Sequence, residues 1–347
     1  MRFVTLKAGY RPVFWGKLDT ASRFLEGDYI ETVDGLFFAV KGLHHPVDGV
    51  IATLRYVPDP EGERERDGVR YRRMYDLEET TRLLAAEHPG YLNRVEGLSL
   101  VLQTVPLEKI RRIYKPVERL AHIMKDPRGE PETTVSKFVE ALREASGAPE
   151  ARFGISGSLL IGLQRPESDV DLNVYGASEG RRVYETLKHL REVLGWVEPY
   201  DDSTVQPVLE ARWGRSGLSL ETLRGVEKAK VLHGLVSGRD YFIRLIRDRE
   251  EDASSRPLGA VTVRATVADA EGSIYTPCIY RVVGAETQGH AVTELLSFRG
   301  KFTEMAVEGD VVEARGTLEE VGGGEKRYRV VLGGRGDYLV PVRLLDA

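Results

Sequence analysis

The chain has 347 residues, with a formal net charge of −5 and a pI near 5.9, so no global basic excess announces a nucleic-acid partner. That length allows two or three domains. Its single cysteine, Cys278, excludes an intrachain disulfide framework or a cysteine-based zinc site. The sequence shows no apolar run near the ~20 residues of a membrane helix and no basic-then-apolar leader, so a cytoplasmic location is expected. Many charges beside few Asn and Gln are a compositional hint of thermophilic adaptation.

In chain order, residues 1–6, 33–40 and 49–56 read as strands, rich in β-branched and aromatic side chains between Gly and Pro. His44 and His45 would point to opposite sides of a strand and have no third ligand nearby, so they read as a turn before Pro46. Residues 58–68 form a charged hairpin tip or lid, with Glu63-Arg64-Glu65-Arg66 as a solvated stretch. Arg70, Arg72, Arg73, Tyr71 and Tyr75 read as a strand with salt-bridged arginines, a basic and aromatic set for base stacking and phosphate contacts being the alternative. Asp76 and Glu79 open a helix that Pro89-Gly90 stops. Residues 106–125 read as one helix interrupted near Pro116, and 127–131 as a linker. Residues 133–145 form an amphipathic helix with Val135, Phe138, Val139 and Leu142 on its apolar side.

From residue 152 the pattern alternates. Strands are expected at 152–156, 170–175, 204–213 and 241–246, and helices at 157–163, 178–194 and 219–232. After Pro257, five short alternating segments with Gly turns predict a small β-barrel, an oligonucleotide-binding barrel being one option. The expected fold class is α+β, divided as 1–105 (β-rich), 106–129 (helical connector), 130–255 (α/β) and 256–347 (barrel).

The chemistry concentrates in residues 154–176. A strand delivers Gly157-Ser158 to a helix start, where glycine permits close backbone approach and free amides attract phosphate. Ser158 adds a hydroxyl there. The chain then re-enters a strand as Asp169-Val170-Asp171. Alternation puts Asp169 and Asp171 on one face, about 7 Å apart along the strand, with Val170 and Leu172 on the other. Two such carboxylates suit Mg²⁺ or Mn²⁺ shared with a nucleotide's phosphates. Arg165, in the loop before them, is a further candidate for phosphate contact. Lys228, Lys230 and His233 are weaker ones.

Gly157-Ser158, the short spacer and Ser168-Asp169-Val170-Asp171 together resemble the signature of the DNA polymerase β-like nucleotidyltransferase superfamily, over roughly residues 130–250. The whole chain is also similar to a family of uncharacterised archaeal proteins known by their nucleotidyltransferase domain. The resemblance implies a polymerase β-like palm, two metals held by Asp169 and Asp171, and a third acid on a later strand. Aligning Ile243-Arg244-Leu245-Ile246 with that strand puts Phe242 where the superfamily has Asp, so the third acid would be Asp240 or Glu210. The activity implied is transfer of a nucleoside monophosphate from a nucleoside triphosphate to an acceptor hydroxyl, RNA or tRNA among the options, with release of pyrophosphate. The alternative is a silent nucleotide- or RNA-binding protein that keeps the fold.

Overall fold

A computed structural model of the chain describes residues 24–95, 100–247, 255–322, 326–334 and 336–345. The expected strand at 1–6 lies outside them. The elements run β1 (Tyr29–Thr32), β2 (Phe37–Val40), β3 (Gly49–Pro58), β4 (Arg64–Arg66), β5 (Val69–Arg73), α1 (Leu77–Glu87), β6 (Leu92–Val95), β7 (Leu100–Pro106) and β8 (Ile110–Tyr114). They continue with α2 (Pro116–Lys125), α3 (Glu132–Ser146), β9 (Phe153–Ile155), α4 (Gly157–Ile161), β10 (Val170–Tyr175), α5 (Ala177–Val193) and β11 (Val197–Glu198). Next come α6 (Val205–Trp213), α7 (Leu220–Ala229), β12 (His233–Val236) and β13 (Arg239–Ile246). Last are β14 (Ser255–Asp269), β15 (Tyr275–Thr276), β16 (Cys278–Thr287), β17 (His290–Ser297), β18 (Val311–Val321), β19 (Arg327–Leu332) and β20 (Tyr338–Pro341). The chain divides into two compact units, Met1–Pro116 with Ser156–Arg165, and Val117–Ile155 with Pro166–Ala347.

In the first unit the strands pair in the order β4-β5-β3-β2-β1-β8, with β7 joined to β3 and β6 to β7. The β4–β5 hairpin turns on Asp67 and Gly68, at φ 53° and 78°, the two positive angles that a tight hairpin turn requires. One set of side chains, including Ile30, Phe38, Val50 and Leu54, packs with Leu84 of α1. Another, with Tyr29, Phe37, Tyr56, Tyr71 and Tyr114, packs around Leu160, Ile161 and Leu163. Asp76 caps α1, accepting from the amides of Glu78 and Glu79 at 2.9 and 3.0 Å.

Buried His45 packs edge-on against Phe24, and its Nδ1 accepts from the Ile51 amide at 3.3 Å. Burial lowers its pKa from 6.5 to about 4. A histidine that stays neutral when folded but charges when unfolded removes stability as pH falls below 6.5. Unfolding by denaturant at pH 7.5 and 4.5 is expected to show a loss of about 2–3 kcal/mol from this residue. His45→Gln should flatten that dependence.

In the second unit the central sheet has the order β11-β12-β13-β10-β9, with β15 beside the end of β13. Val170, Leu172, Val174, Tyr241, Ile243 and Leu245 are all buried on one side of it. Phe138 of α3 meets Tyr241 there, ring centroids 5.3 Å apart. In the last sheet, β14 pairs with both β16 and β18, β17 runs parallel to β19, and β19 pairs with β18, so five strands pair in a ring with β20 added on β18. Val205, Leu209 and Trp213 of α6 and Leu223 of α7 join its core, with Tyr280, Leu295 and Phe302.

Residues 33–40, expected as one strand, are a turn followed by β2, and two further expected elements differ in kind. Residues 204–213, expected as a strand, are helix α6. Asp201 accepts from the Ser203 and Thr204 amides at its start, and Val205, Leu209 and Trp213 recur every four residues, a helical spacing that outweighs the β-branched composition. Residues 106–125 are not one helix: residues 110–114 form β8, paired with β1, and Pro116 opens α2, where proline is well placed. Among the described residues no helix is long and apolar enough to cross a membrane.

Candidate active site

The geometry of the acids follows from strand β10, which lies between β9 and β13. Asp171 alternates with the buried Val170 and Leu172, and both Asp169 and Asp171 are half-buried. Arg239 steadies the loop before them. Its guanidinium donates to the carbonyls of Pro166 and, at 3.1 Å, Ser168. Further along the same face, Asn173 is buried and its Nδ2 donates to the Tyr175 hydroxyl at 3.2 Å.

Parallel pairing with β13 sets Val170 beside Tyr241 and Asp171 beside Phe242. Asp169 and Asp240 are the residues immediately before that first pair, Asp240 being paired with Leu235 of β12 on its other side. Asp240 is exposed, and the Tyr200 hydroxyl donates to its Oδ1 at 2.7 Å. Glu210 is placed differently. It lies exposed on helix α6 and accepts from Gln206 one turn earlier at 2.9 Å, so it does not share a strand with the other acids.

Phe242 itself is fixed by packing. Its ring stacks on His233, centroids 4.5 Å apart and 2° from parallel. A Cβ built at Gly300 would sit 2.2 Å from the Phe242 Cζ, so only glycine fits there. Behind this contact lies a buried ionic network. Glu227 accepts from Arg212 at 2.6 Å, from Trp213 Nε1 at 2.8 Å and from Lys230 at 2.8 Å. Lys230 also donates to the Lys301 carbonyl at 2.6 Å. Burial opposes the charge on Glu227, but Lys230 and Arg212 beside it outweigh that and hold its carboxyl below the usual range. His233, 2% exposed, has its Nδ1 2.8 Å from Arg212 and its Nε2 3.3 Å from the Gly300 carbonyl. Since Arg212 can only donate and the carbonyl only accept, the ring is the neutral Nε2–H tautomer, in keeping with a pKa driven well below 6.5 by burial and then by Arg212. Of the three weaker phosphate candidates, Lys230 and His233 are thus enclosed in this network, and Lys228 pairs with Asp202 at 2.7 Å.

Gly157 and Ser158 belong to the first unit. Gly157 has φ 62°, where a side chain is strained, and all five residues of α4 are buried. Gly162 follows at φ 70°. Arg165 is exposed at the end of this segment. Sequence reasoning missed Arg64 and Arg66, taken as part of a solvated loop. They belong to β4, and Arg64 is only 9% exposed. The turn-forming Asp67-Gly68 just after them was the signal that a hairpin begins there.

The donor chemistry suits a hard divalent cation, since Asp169, just before β10, and Asp171, on it, both offer carboxylate oxygens. Among the described residues no group of three His, Cys, Asp or Glu side chains is arranged to hold an ion unaided. A cation here would complete its shell from substrate phosphates and water, as Mg²⁺ commonly does.

Residues 135–215 match the family model of the nucleotidyltransferase domain, a stretch that includes Gly157, Ser158, Asp169 and Asp171. The chain is thus a mixed α+β protein carrying a nucleotidyltransferase domain, and transfer of nucleotidyl groups is the general activity that this domain supports. Over 324 residues it is 28% identical to an uncharacterized protein of Methanocaldococcus jannaschii, covering 88% of this chain and 94% of that protein. No solved structure gives a significant match.

Proposed function

We propose that the protein is a metal-dependent nucleotidyltransferase with a polymerase β-like palm followed by a small β-barrel. The observation that carries this reading is the acidic start of the central sheet: Asp171 lies on β10, Asp169 immediately precedes that strand, and Asp240 lies on β13, one residue before the Tyr241 that pairs with Val170. Asp169 and Asp171 would hold Mg²⁺ or Mn²⁺. When bound, such ions neutralise developing charge on the phosphates and lower the pKa of a bound hydroxyl. The acceptor hydroxyl oxygen attacks the α-phosphorus of a nucleoside triphosphate, the bond to the bridging oxygen of pyrophosphate breaks, and the hydroxyl proton passes to Asp240. Asp240 is preferred over Glu210 because it lies on the strand paired with β10. Gly157 and Ser158, two and three residues beyond the end of β9, would receive the β- and γ-phosphates, and Arg165 would approach them from the exposed end of that segment.

The test supplies each labelled nucleoside triphosphate with Mg²⁺ or Mn²⁺, total RNA and total protein, at ambient and raised temperature. Label on one fraction names the acceptor class, RNA or tRNA being one option. Asp240→Asn should lower transfer by about 10²-fold or more, while Glu210→Gln stays within about twofold.

Phe242 favours a second reading. An aromatic ring occupies the position beside Asp171, which suits a protein that binds the triphosphate without transferring it. Bound triphosphate with no label on any acceptor would select that reading.

A further inference from the structure

The segment Ser156–Leu163, which carries Gly157 and Ser158, is too short to hold its own shape: α4 has five residues, and helices that short do not persist alone. The first unit holds it at both ends. At its start, the Ser156 hydroxyl donates to the Gly27 carbonyl at 3.0 Å. At its end, Arg66 Nη1 donates to the Ile161 carbonyl at 2.9 Å and Arg64 Nη1 to the Leu163 carbonyl at 2.7 Å. The Ile161 carbonyl is one that the helix end leaves unsatisfied, and the Leu163 carbonyl lies just past the cap at Gly162. Each guanidinium is itself seated on aromatic rings. Arg66 lies 5.6 Å from the Phe37 ring and 5.1 Å from that of Tyr114, and Arg64 lies 6.0 Å from Tyr56. Leu160, Ile161 and Leu163 enter the same aromatic cluster.

We infer that Arg64 and Arg66 are positioning residues for the triphosphate, and that the N-terminal strands act as the scaffold of its binding turn. The inference rests on the role proposed above for Gly157 and Ser158. A guanidinium fixed between two rings and a carbonyl has one geometry, whereas a lysine keeps the charge but loses the planar fork. Removing Arg66 frees the end of the segment while its apolar side chains stay packed. The turn then samples orientations that do not fit the phosphates.

The test measures binding of each nucleoside triphosphate with Mg²⁺ to the full-length protein by calorimetry, and the KM and kcat for pyrophosphate release. Arg66→Ala is expected to weaken binding and raise KM about tenfold, with kcat changed less than threefold and thermal unfolding still cooperative. Arg66→Lys should recover part of the loss. An affinity within twofold of the parent in both Arg66→Ala and Arg64→Ala overturns the inference. So does a fall in kcat at unchanged KM, the mark of partial unfolding alone. Should Arg66→Ala not fold, Arg66→Gln, which keeps a neutral donor, carries the same comparison. A parent protein that binds no triphosphate overturns the proposed site itself, an outcome separate from equal binding by parent and variants.

Discussion

Asp171→Asn is expected to lower nucleotidyl transfer by about 10³-fold, equivalent to ~4 kcal/mol of transition-state stabilisation. Asn has nearly the same shape, and the half-buried Asp171 sits between Val170 and Leu172, whose burial holds the strand in place. The fold should therefore survive while one of the two charges proposed to hold the metal is lost. Asp169→Asn should act in the same direction, and the double variant should be little worse than either single, because the two acids serve one task. Initial rates of pyrophosphate release, with thermal unfolding as the control for folding, check this. More than a tenth of the parent rate in Asp171→Asn would remove that residue from the site.

The second large effect is on stability. Glu227 and Lys230 have no side-chain exposure and lie 2.8 Å apart. Glu227→Ala leaves Lys230 buried without its charge partner and the indole of Trp213 without its acceptor, so a loss of about 3–5 kcal/mol is expected. Charge alone is not the reason, since two buried ions gain little over a well-packed apolar pair. Glu227→Leu combined with Lys230→Met should accordingly cost less than Glu227→Leu alone, the remaining loss coming from Arg212 and the Trp213 indole, which still lack their acceptor. Denaturant midpoints of the parent, both singles and the double measure this directly. The network also backs the His233–Phe242 contact, so Glu227→Ala should loosen the strand beside Asp171 and lower activity as well as stability.

Much of the central sheet was legible in the sequence because short-range rules dominate there. The run Asp169–Tyr175 alternates polar and apolar residues strictly, and β10 spans Val170–Tyr175 as that alternation predicts. Asp76 announced the start of α1 for an equally local reason, its side chain capping amides two and three residues on. Residues 204–213 were misread because Thr204, Val205 and Val208 favour strands on composition, while the four-residue recurrence of Val205, Leu209 and Trp213 carries the helix. Arg64 and Arg66 look like surface charges in a stretch of alternating sign. Their partners, the carbonyls of Leu163 and Ile161, lie almost a hundred positions away, and backbone acceptors leave no mark in a sequence. Lys230 was misjudged for a similar reason. Nothing local says that a lysine will be enclosed, since its enclosure depends on Glu227 and on the Lys301 carbonyl arriving from the segment between β17 and β18.

The most direct measurement is pyrophosphate release by the purified parent protein with Mg²⁺ or Mn²⁺, each nucleoside triphosphate in turn, and a mixed acceptor pool. The expected result is release with one triphosphate that depends on the metal, requires the acceptor and disappears in the Asp169→Asn, Asp171→Asn double variant. Release that persists in the double variant, or no release under any of these conditions, would contradict transfer at this site.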